Sequence, residues 1–347
     1  MEEKVIYFAG GCFWGVAHFF KGVDGVVKAT AGYANGVLPH RPSYEEVYTD
    51  RTGFAETVEV RYNPSRVSLQ ELVDLYFAVV DPLSRNRQGE DVGTRYRTGV
   101  YYVSEEDFPL IRPRFEAESA RLGAPLSVEL EPLRTFYPAE EYHQDYLDKN
   151  PGGYCHIPLP AFRYLRLYQD LQALLGDEPD LIARMATAAA LLGERMRWHW
   201  VGFYRVAGNG DCADGSGVAD GADSAGRMLV LGPYCGPVAC LRIGYGKGVC
   251  GTAWKERRTI IVPDVDHFPG HIACSSLSRS EIVVPVYASP SARHSDPSAC
   301  HPRPDRESPV AVLDVDSAEL DAFGPLDALW LGKIADLVGS LPTCVQL

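Results

Sequence analysis

Two prolines in the stretch IPLPAF, residues 157–162, divide this chain. Neither a helix interior nor a central strand carries such a closely spaced pair, so the stretch reads as a linker. A length of 347 residues suits two domains. Before the linker, β-like runs (AETVEVRY, RTGVYYV) mix with helix-like ones. SLQELVDLYFAVV opens on Ser68 with Glu71 three residues on, as in a capping box, and EDFPLIRPRFEAESARLG stops at Gly123. After the linker, two helices are expected in RYLRLYQDLQALLG and PDLIARMATAAALLGERM, the second with Leu181, Met185, Ala188 and Leu192 on one face. Strands follow in HWVGFYRV, RMLVLGPY, TIIVPDV, SEIVVPVYA and SPVAVLDVD, and a last helix in ALWLGKIADLV. The expected fold class is α+β throughout. The second part should hold a largely antiparallel central sheet, interrupted by a Gly/Asp-rich stretch (207–226) and a Pro/Ser-rich one (289–309).

A net charge of −13 argues against a nucleic-acid or anionic-membrane surface. No apolar run is long enough to span a bilayer. The acidic, strand-like start MEEKVIYFAGG does not read as a signal peptide. Nine cysteines without such a signal imply a reducing, cytoplasmic setting, where thiols more often serve catalysis or metal binding than stable disulfides.

In the first segment, AGGCFWG places Cys12 after a glycine turn and before Phe13 and Trp14. A helix start there would lower the thiol pKa. Tyr44 in SYEEVY, Glu56 in TGFAETVEV, Asp91 and Tyr96 in NRQGEDVGTRYR, and Cys155 in NPGGYCHI complete a set. A thiol, a partly buried carboxylic acid and phenols can reduce a polar S–O group. The thiolate attacks, the acid protonates the departing oxygen, and the aromatics hold a methyl group. A sulfenic acid formed on the cysteine would condense with a nearby thiol.

GCFWG, SYEEV, TGFAE, NRQGEDVGTRYR and GYCHI resemble the A-type peptide methionine sulfoxide reductases over residues 1–158. The resemblance implies an α/β sandwich acting on the S-diastereomer of methionine sulfoxide, free or in proteins, with no bound cofactor and thioredoxin or a similar dithiol as reductant. It makes Cys12 the catalytic cysteine, Phe13 and Trp14 the methyl pocket, and Glu56 the acid. Tyr44, Asp91 and Tyr96 become the groups around the oxygen, and Cys155 the resolving cysteine. Phe54 stands where the family often has histidine, and the tail offers one cysteine where many members have more.

The second segment carries Cys240, Cys250 and Cys274 in GPVACLRIGYGKGVCGTAWKERRTIIVPDVDHFPGHIACSS. His271 and Cys274 have ligand-like spacing, but no CxxC pair supports a zinc site, so no metal is expected. WVGFY, VACLRI, GKGVCGTA, FPGHIAC, SEIVVPV and VLDVDS resemble the free methionine-R-sulfoxide reductases, which are built on a GAF domain, over residues 163–340. By that resemblance Cys274 is catalytic, Cys240 resolves it, and Cys250 is an alternative or auxiliary thiol. Trp200 and Tyr204 are pocket aromatics, and Glu281, Asp314 and Asp316 an acidic cluster. Several carboxylates suit the ammonium of a free amino acid, and one kept protonated by its neighbours could donate to the sulfoxide oxygen. The other use of such a module is as a non-catalytic ligand sensor. Ser275 follows Cys274 where the family often has Asp, and Cys235 stands where a polar residue is common. Cys212, Cys300 and Cys344 are read as incidental.

Overall fold

The computed structural model describes residues 3–208, 223–224, 226–272, 277–290 and 308–341. The chain divides into two compact units, Met1–Leu165 and Arg166–Leu347. In chain order the first unit holds β1 (Lys4–Gly10), α1 (Phe13–Lys21), β2 (Val26–Ala34), α2 (Tyr44–Tyr48), β3 (Ala55–Tyr62), α3 (Leu69–Phe77), β4 (Arg87–Gln88), β5 (Asp91–Val92), β6 (Thr98–Tyr102), α4 (Phe108–Leu122), β7 (Glu129–Pro132), β8 (Phe136–Pro138) and α5 (Tyr146–Lys149). Its main sheet runs β7-β6-β1-β3-β2-β8 and is mixed, because β6 and β7 pair in parallel while the other neighbours are antiparallel.

One face of the sheet's centre is apolar: Ile6 and Phe8 of β1 pair with Val60 and Val58 of β3, and all four are fully buried. The Phe8 ring stacks on Phe20 of α1 at 4.6 Å and on Tyr76 of α3 at 5.1 Å. Ser68 Oγ accepts the Glu71 N–H at 3.1 Å, as the spacing predicts. The full reciprocal capping box opens α2, where Glu46 N–H reaches Ser43 Oγ at 3.3 Å and Ser43 N–H reaches Glu46 Oε2 at 2.8 Å. Gly123 ends α4 in the left-handed conformation, the expected stop.

The linker reading needs correction. A helix, α6 (Leu159–Leu175), starts inside IPLPAF and crosses the division between the units. Pro160 falls in its first turn, where a missing N–H leaves no intrahelical bond unmade.

The second unit continues with α7 (Leu181–Met196), β9 (Trp200–Ala207), β10 (Met228–Cys235), β11 (Arg242–Ile243), α8 (Gly248–Glu256), β12 (Ile260–Val262), β13 (Ser280–Val286), β14 (Ser289–Pro290), β15 (Ala311–Ser317), α9 (Pro325–Gly339) and β16 (Ser340–Leu341). Its six-stranded sheet, β11-β10-β9-β15-β13-β12, is antiparallel at every pairing, as expected. β14 and β16 form a separate short parallel pair. Met185, Ala188 and Leu192 of α7 are buried, so its apolar stripe is a core stripe. Arg184 beside them is 1% exposed. Its guanidinium donates to the carbonyls of Leu175, Glu178, Leu337 and Val338 at 2.7–3.2 Å, joining the C-terminal ends of α6 and α9. No helix among the described residues is long and apolar enough to cross a membrane.

Candidate active sites

The first site forms where β1 turns into α1. Gly11 holds φ at +81°, and a Cβ there would stand 2.6 Å from Gln88 Cβ, so only glycine makes this turn. The turn delivers Cys12 to the N-cap of α1 and Phe13 and Trp14 to its first turn. Glu56 lies on β3, directly opposite Tyr33 of β2. It is 1% exposed, and the Phe13 N–H donates to its Oε2 at 3.1 Å. Burial pushes its pKa up to about 8; the Phe13 N–H and the charge of Arg95 pull the other way and lose. At neutral pH this carboxyl is a proton donor.

Cys12 is 6% exposed, and here the structure overturns an expectation. Its pKa is raised. Burial dominates, Glu56 adds to it, and the backbone N–H of Trp14, the helix-start effect, opposes both without prevailing. Asp91 and Cys155 act on the same thiol more weakly. The resting sulfur is therefore a thiol beside a protonated acid.

The remaining first-segment residues surround this pair. Tyr44 opens α2, and its pKa is pushed up to about 12 by burial and then by the charges of Glu56 and Cys12. Tyr96 ends a one-turn 3-10 helix, raised by burial and Glu56, with Arg95 stacked 4.4 Å from its ring. Arg95 is held by Asp50 at 2.7 Å. Asp91 sits on β5 of the β4–β5 hairpin, raised by burial and eased by a hydrogen bond from Tyr154. Phe13 is buried against Tyr33 and His143. Trp14 is half-buried, stacks on Tyr146 at 3.7 Å and donates its indole N–H to His143 Nδ1 at 3.1 Å. Cys155, a free thiol, is half-buried, and its Sγ lies 3.0 Å from where a Cβ on Gly15 of α1 would stand. The tail thus returns its sulfur to the helix that begins at Cys12. Phe54 is core, packed against Gly36 and edge-on to Tyr137, so an aromatic ring replaces a histidine without leaving a buried polar group.

Sequence reasoning missed His143, Tyr146 and Tyr154. EYHQDY and GYCHI advertise them only as ring-bearing residues near the tail cysteine.

In the second unit the strand register assembles the site. Asp316 of β15 pairs with Trp200 of β9 on one side and Glu281 of β13 on the other, so the three side chains share one face. Asp314 and Tyr204 follow on that face at even spacing. Gly202, opposite Asp314, leaves room for the aromatics, since a Cβ there would lie 2.6 Å from the Trp200 ring and 2.4 Å from Tyr234 Cβ. Trp200 stacks on Tyr204 at 6.0 Å and on Tyr234 at 5.6 Å. Trp200, Tyr204, Glu281, Asp314 and Asp316 line a pocket with Cys250 and His271. Glu281 and Asp316 are pushed well above the usual carboxyl range by burial and then by Asp314, while Asp314 rises to about 6.

Cys250, in α8, is a buried thiol 3.9 Å from Glu281 Oε1. Cys240 is half-buried against the same apolar cluster, and Cys235 is half-buried at the end of β10. Cys274 and Ser275 lie outside the described residues, as do Cys212, Cys300 and Cys344.

Residues 4–172 match the family model for peptide methionine sulfoxide reductase. A peptide methionine sulfoxide reductase from Clostridium acetobutylicum is 54% identical over 155 residues, 45% of this chain and 95% of that protein. One from Lachnoclostridium phytofermentans is 50% identical over 160 residues, 46% of this chain and 96% of that protein. Among solved structures, a free methionine-R-sulfoxide reductase from Neisseria meningitidis in complex with its substrate is 39% identical, covers 51% of this chain and 86% of that one, and has a TM-score of 0.40.

Proposed function

Because the chain belongs to the peptide methionine sulfoxide reductase family, we propose that its first unit reduces methionine-S-sulfoxide, free and in proteins, and its second unit free methionine-R-sulfoxide. The observation that carries the first half is Glu56: a carboxyl 1% exposed, hydrogen-bonded to the residue after Cys12, with a pKa near 8. Glu56 gives its proton to the sulfoxide oxygen as the Cys12 sulfur attacks, and the thiol proton restores it. The balance is one thiol and one sulfoxide to one sulfide and one sulfenic acid. Phe13 and the exposed side of Trp14 hold the methyl group, and Tyr44, Asp91 and Tyr96 hold the oxygen. The Cys155 thiol then condenses with the sulfenic acid, releasing water and forming a disulfide. An external dithiol, thioredoxin or a similar protein in the cytoplasm, returns both thiols by exchange. No further cofactor takes part.

For the second unit the support is the buried carboxylate row. Glu281, Asp314 and Asp316 suit the ammonium group that a peptide-bound methionine lacks, and Trp200 and Tyr204 suit its apolar end. Burial and mutual repulsion keep at least one carboxyl protonated to serve the sulfoxide oxygen. Cys274 is the attacking thiol of this reading, with Cys240 as resolving and Cys250 as auxiliary thiol.

Diastereomer-resolved turnover tests both halves. Cys12→Ser abolishes S-sulfoxide reduction and spares the free R-form; Cys274→Ser does the reverse. If Cys274→Ser leaves R-sulfoxide consumption unchanged while the wild type binds it, the second unit is a sensor instead.

A further inference from the structure

Three donor groups of the second unit converge on one volume from three places in the chain, with a fourth, His271, beside one of them. Cys250 Sγ on α8, a carboxylate oxygen of Glu281 on β13 and one of Asp314 on β15 all lie within 4.8 Å of one another. These residues are 3%, 6% and 6% exposed. His271, just before the undescribed stretch, brings its Nε2 to 3.8 Å from Glu281 Oε2, too far for a hydrogen bond. Among the described residues the group is not internally satisfied: Asp314 Oδ1 is buried with no hydrogen-bond partner there. A buried acceptor of that kind normally has one.

Thiolate, imidazole and carboxylate together form the donor set that zinc takes, with bonds of about 2.0–2.3 Å. Tetrahedral geometry at those lengths puts donors about 3.3–3.8 Å apart. Cys250 Sγ and Glu281 Oε1 already stand 3.9 Å apart, close to that spacing. Two carboxylates and a thiolate also supply the negative charge that a divalent ion neutralises, and the sulfur favours soft cations over magnesium or calcium.

We propose that Cys250, Glu281 and Asp314, completed by His271, form a site for a thiophilic divalent cation of the zinc and cadmium class, which reversibly inhibits the second unit. The zinc set weighed from the sequence, His271 with Cys240, Cys250 and Cys274, shares His271 and Cys250 with it. The cation displaces the proton of Cys250 and occupies the carboxylates a zwitterionic substrate needs. Binding stands without the reductase reading; inhibition rests on it.

The test uses the full chain, reduced and stripped with a chelator, titrated with Cd²⁺ and then Zn²⁺. Equilibrium dialysis gives the stoichiometry, and the ultraviolet thiolate-to-cadmium charge-transfer band reports sulfur ligation. One equivalent is expected to bind with a charge-transfer band. Cys250→Ser should remove the band, and Asp314→Asn and Glu281→Gln should each weaken binding by at least about tenfold. Cys12→Ser, Cys155→Ser and Cys240→Ser should bind as the wild type does. Circular dichroism identifies any variant that fails to fold, and the near-isosteric Asn and Gln changes then decide. Absence of binding, or equal binding by the folded Cys250→Ser and Asp314→Asn chains, overturns the site. In the loaded chain free R-sulfoxide turnover falls while S-sulfoxide turnover persists. Retained R-turnover at full occupancy overturns the inhibition. A chain that binds the ion but never reduces the R-form sinks the reductase reading and leaves the site standing.

Discussion

Glu56 is held in a state that costs stability. Unfolded, a glutamate titrates near 4.5; here it titrates near 8, because burial favours the neutral form. The neutral form is thus the native one, and the penalty for the carboxyl is absent below pH 4.5. It grows as pH rises toward 8 and stays constant beyond, where the folded chain also buries the charge. At pH 7 the difference amounts to about 3 kcal/mol. Glu56→Gln, which can still accept the Phe13 N–H, should therefore raise stability at pH 7 by up to that amount and add nothing at pH 4. Denaturant unfolding at the two pH values reads this directly. The same change should lower the S-sulfoxide rate by about 10²–10⁴, the usual worth of a general acid. In the wild type that rate should fall as pH rises through about 8, as Glu56 loses the proton it donates. A rate flat from pH 7 to 9.5 removes Glu56 from the role. Cys12 and Glu56 were legible in the sequence as residue types at telling positions. Their protonation was not, because desolvation is a property of everything packed around them.

At the scale of the element, α1 carries two duties: it positions Cys12 at its start and receives Cys155 against Gly15, one turn on. Gly15→Ala would add helix propensity of about 1 kcal/mol. Its new Cβ would also stand only 3.0 Å from Cys155 Sγ and push that sulfur aside. The expected outcome is an unchanged first turnover, measured as methionine released per enzyme without reductant. Continuous turnover with thioredoxin should be slower by on the order of tenfold, since resolution depends on placement. Equal slowing of both phases would contradict it. Among elements, the amphipathic α7 and the β-like runs of the strands declared themselves in the sequence. α8 did not: GVCGTAWKE holds two glycines and β-branched residues, poor helix formers. Its helix is imposed by burying Val249, Cys250, Ala253 and Trp254. His143 was invisible for a related reason. A histidine in a short 3-10 turn shows no periodicity, and its role appears only once Trp14 is beside it.

For the whole molecule, Arg184 matters beyond its size. A single buried cation gathers carbonyls from the ends of α6 and α9. Arg184→Met fills similar volume but leaves those carbonyls without their donor, a loss on the order of 4 kcal/mol. The cost falls on a contact set confined to the second unit, whereas Cys12 and Glu56 belong to the first. Heating the variant should therefore extinguish free R-sulfoxide reduction well before S-sulfoxide reduction, while the wild type loses the two closer together. Residual activity toward each diastereomer after graded heating measures this, and simultaneous loss in the variant would refute it. Because backbone carbonyls do not titrate and a buried guanidinium is beyond the reach of dissolved ions, these four bonds are indifferent to pH and salt. Deuterium should enter the last turns of α6 and α9 at one common rate, in brine as in dilute buffer.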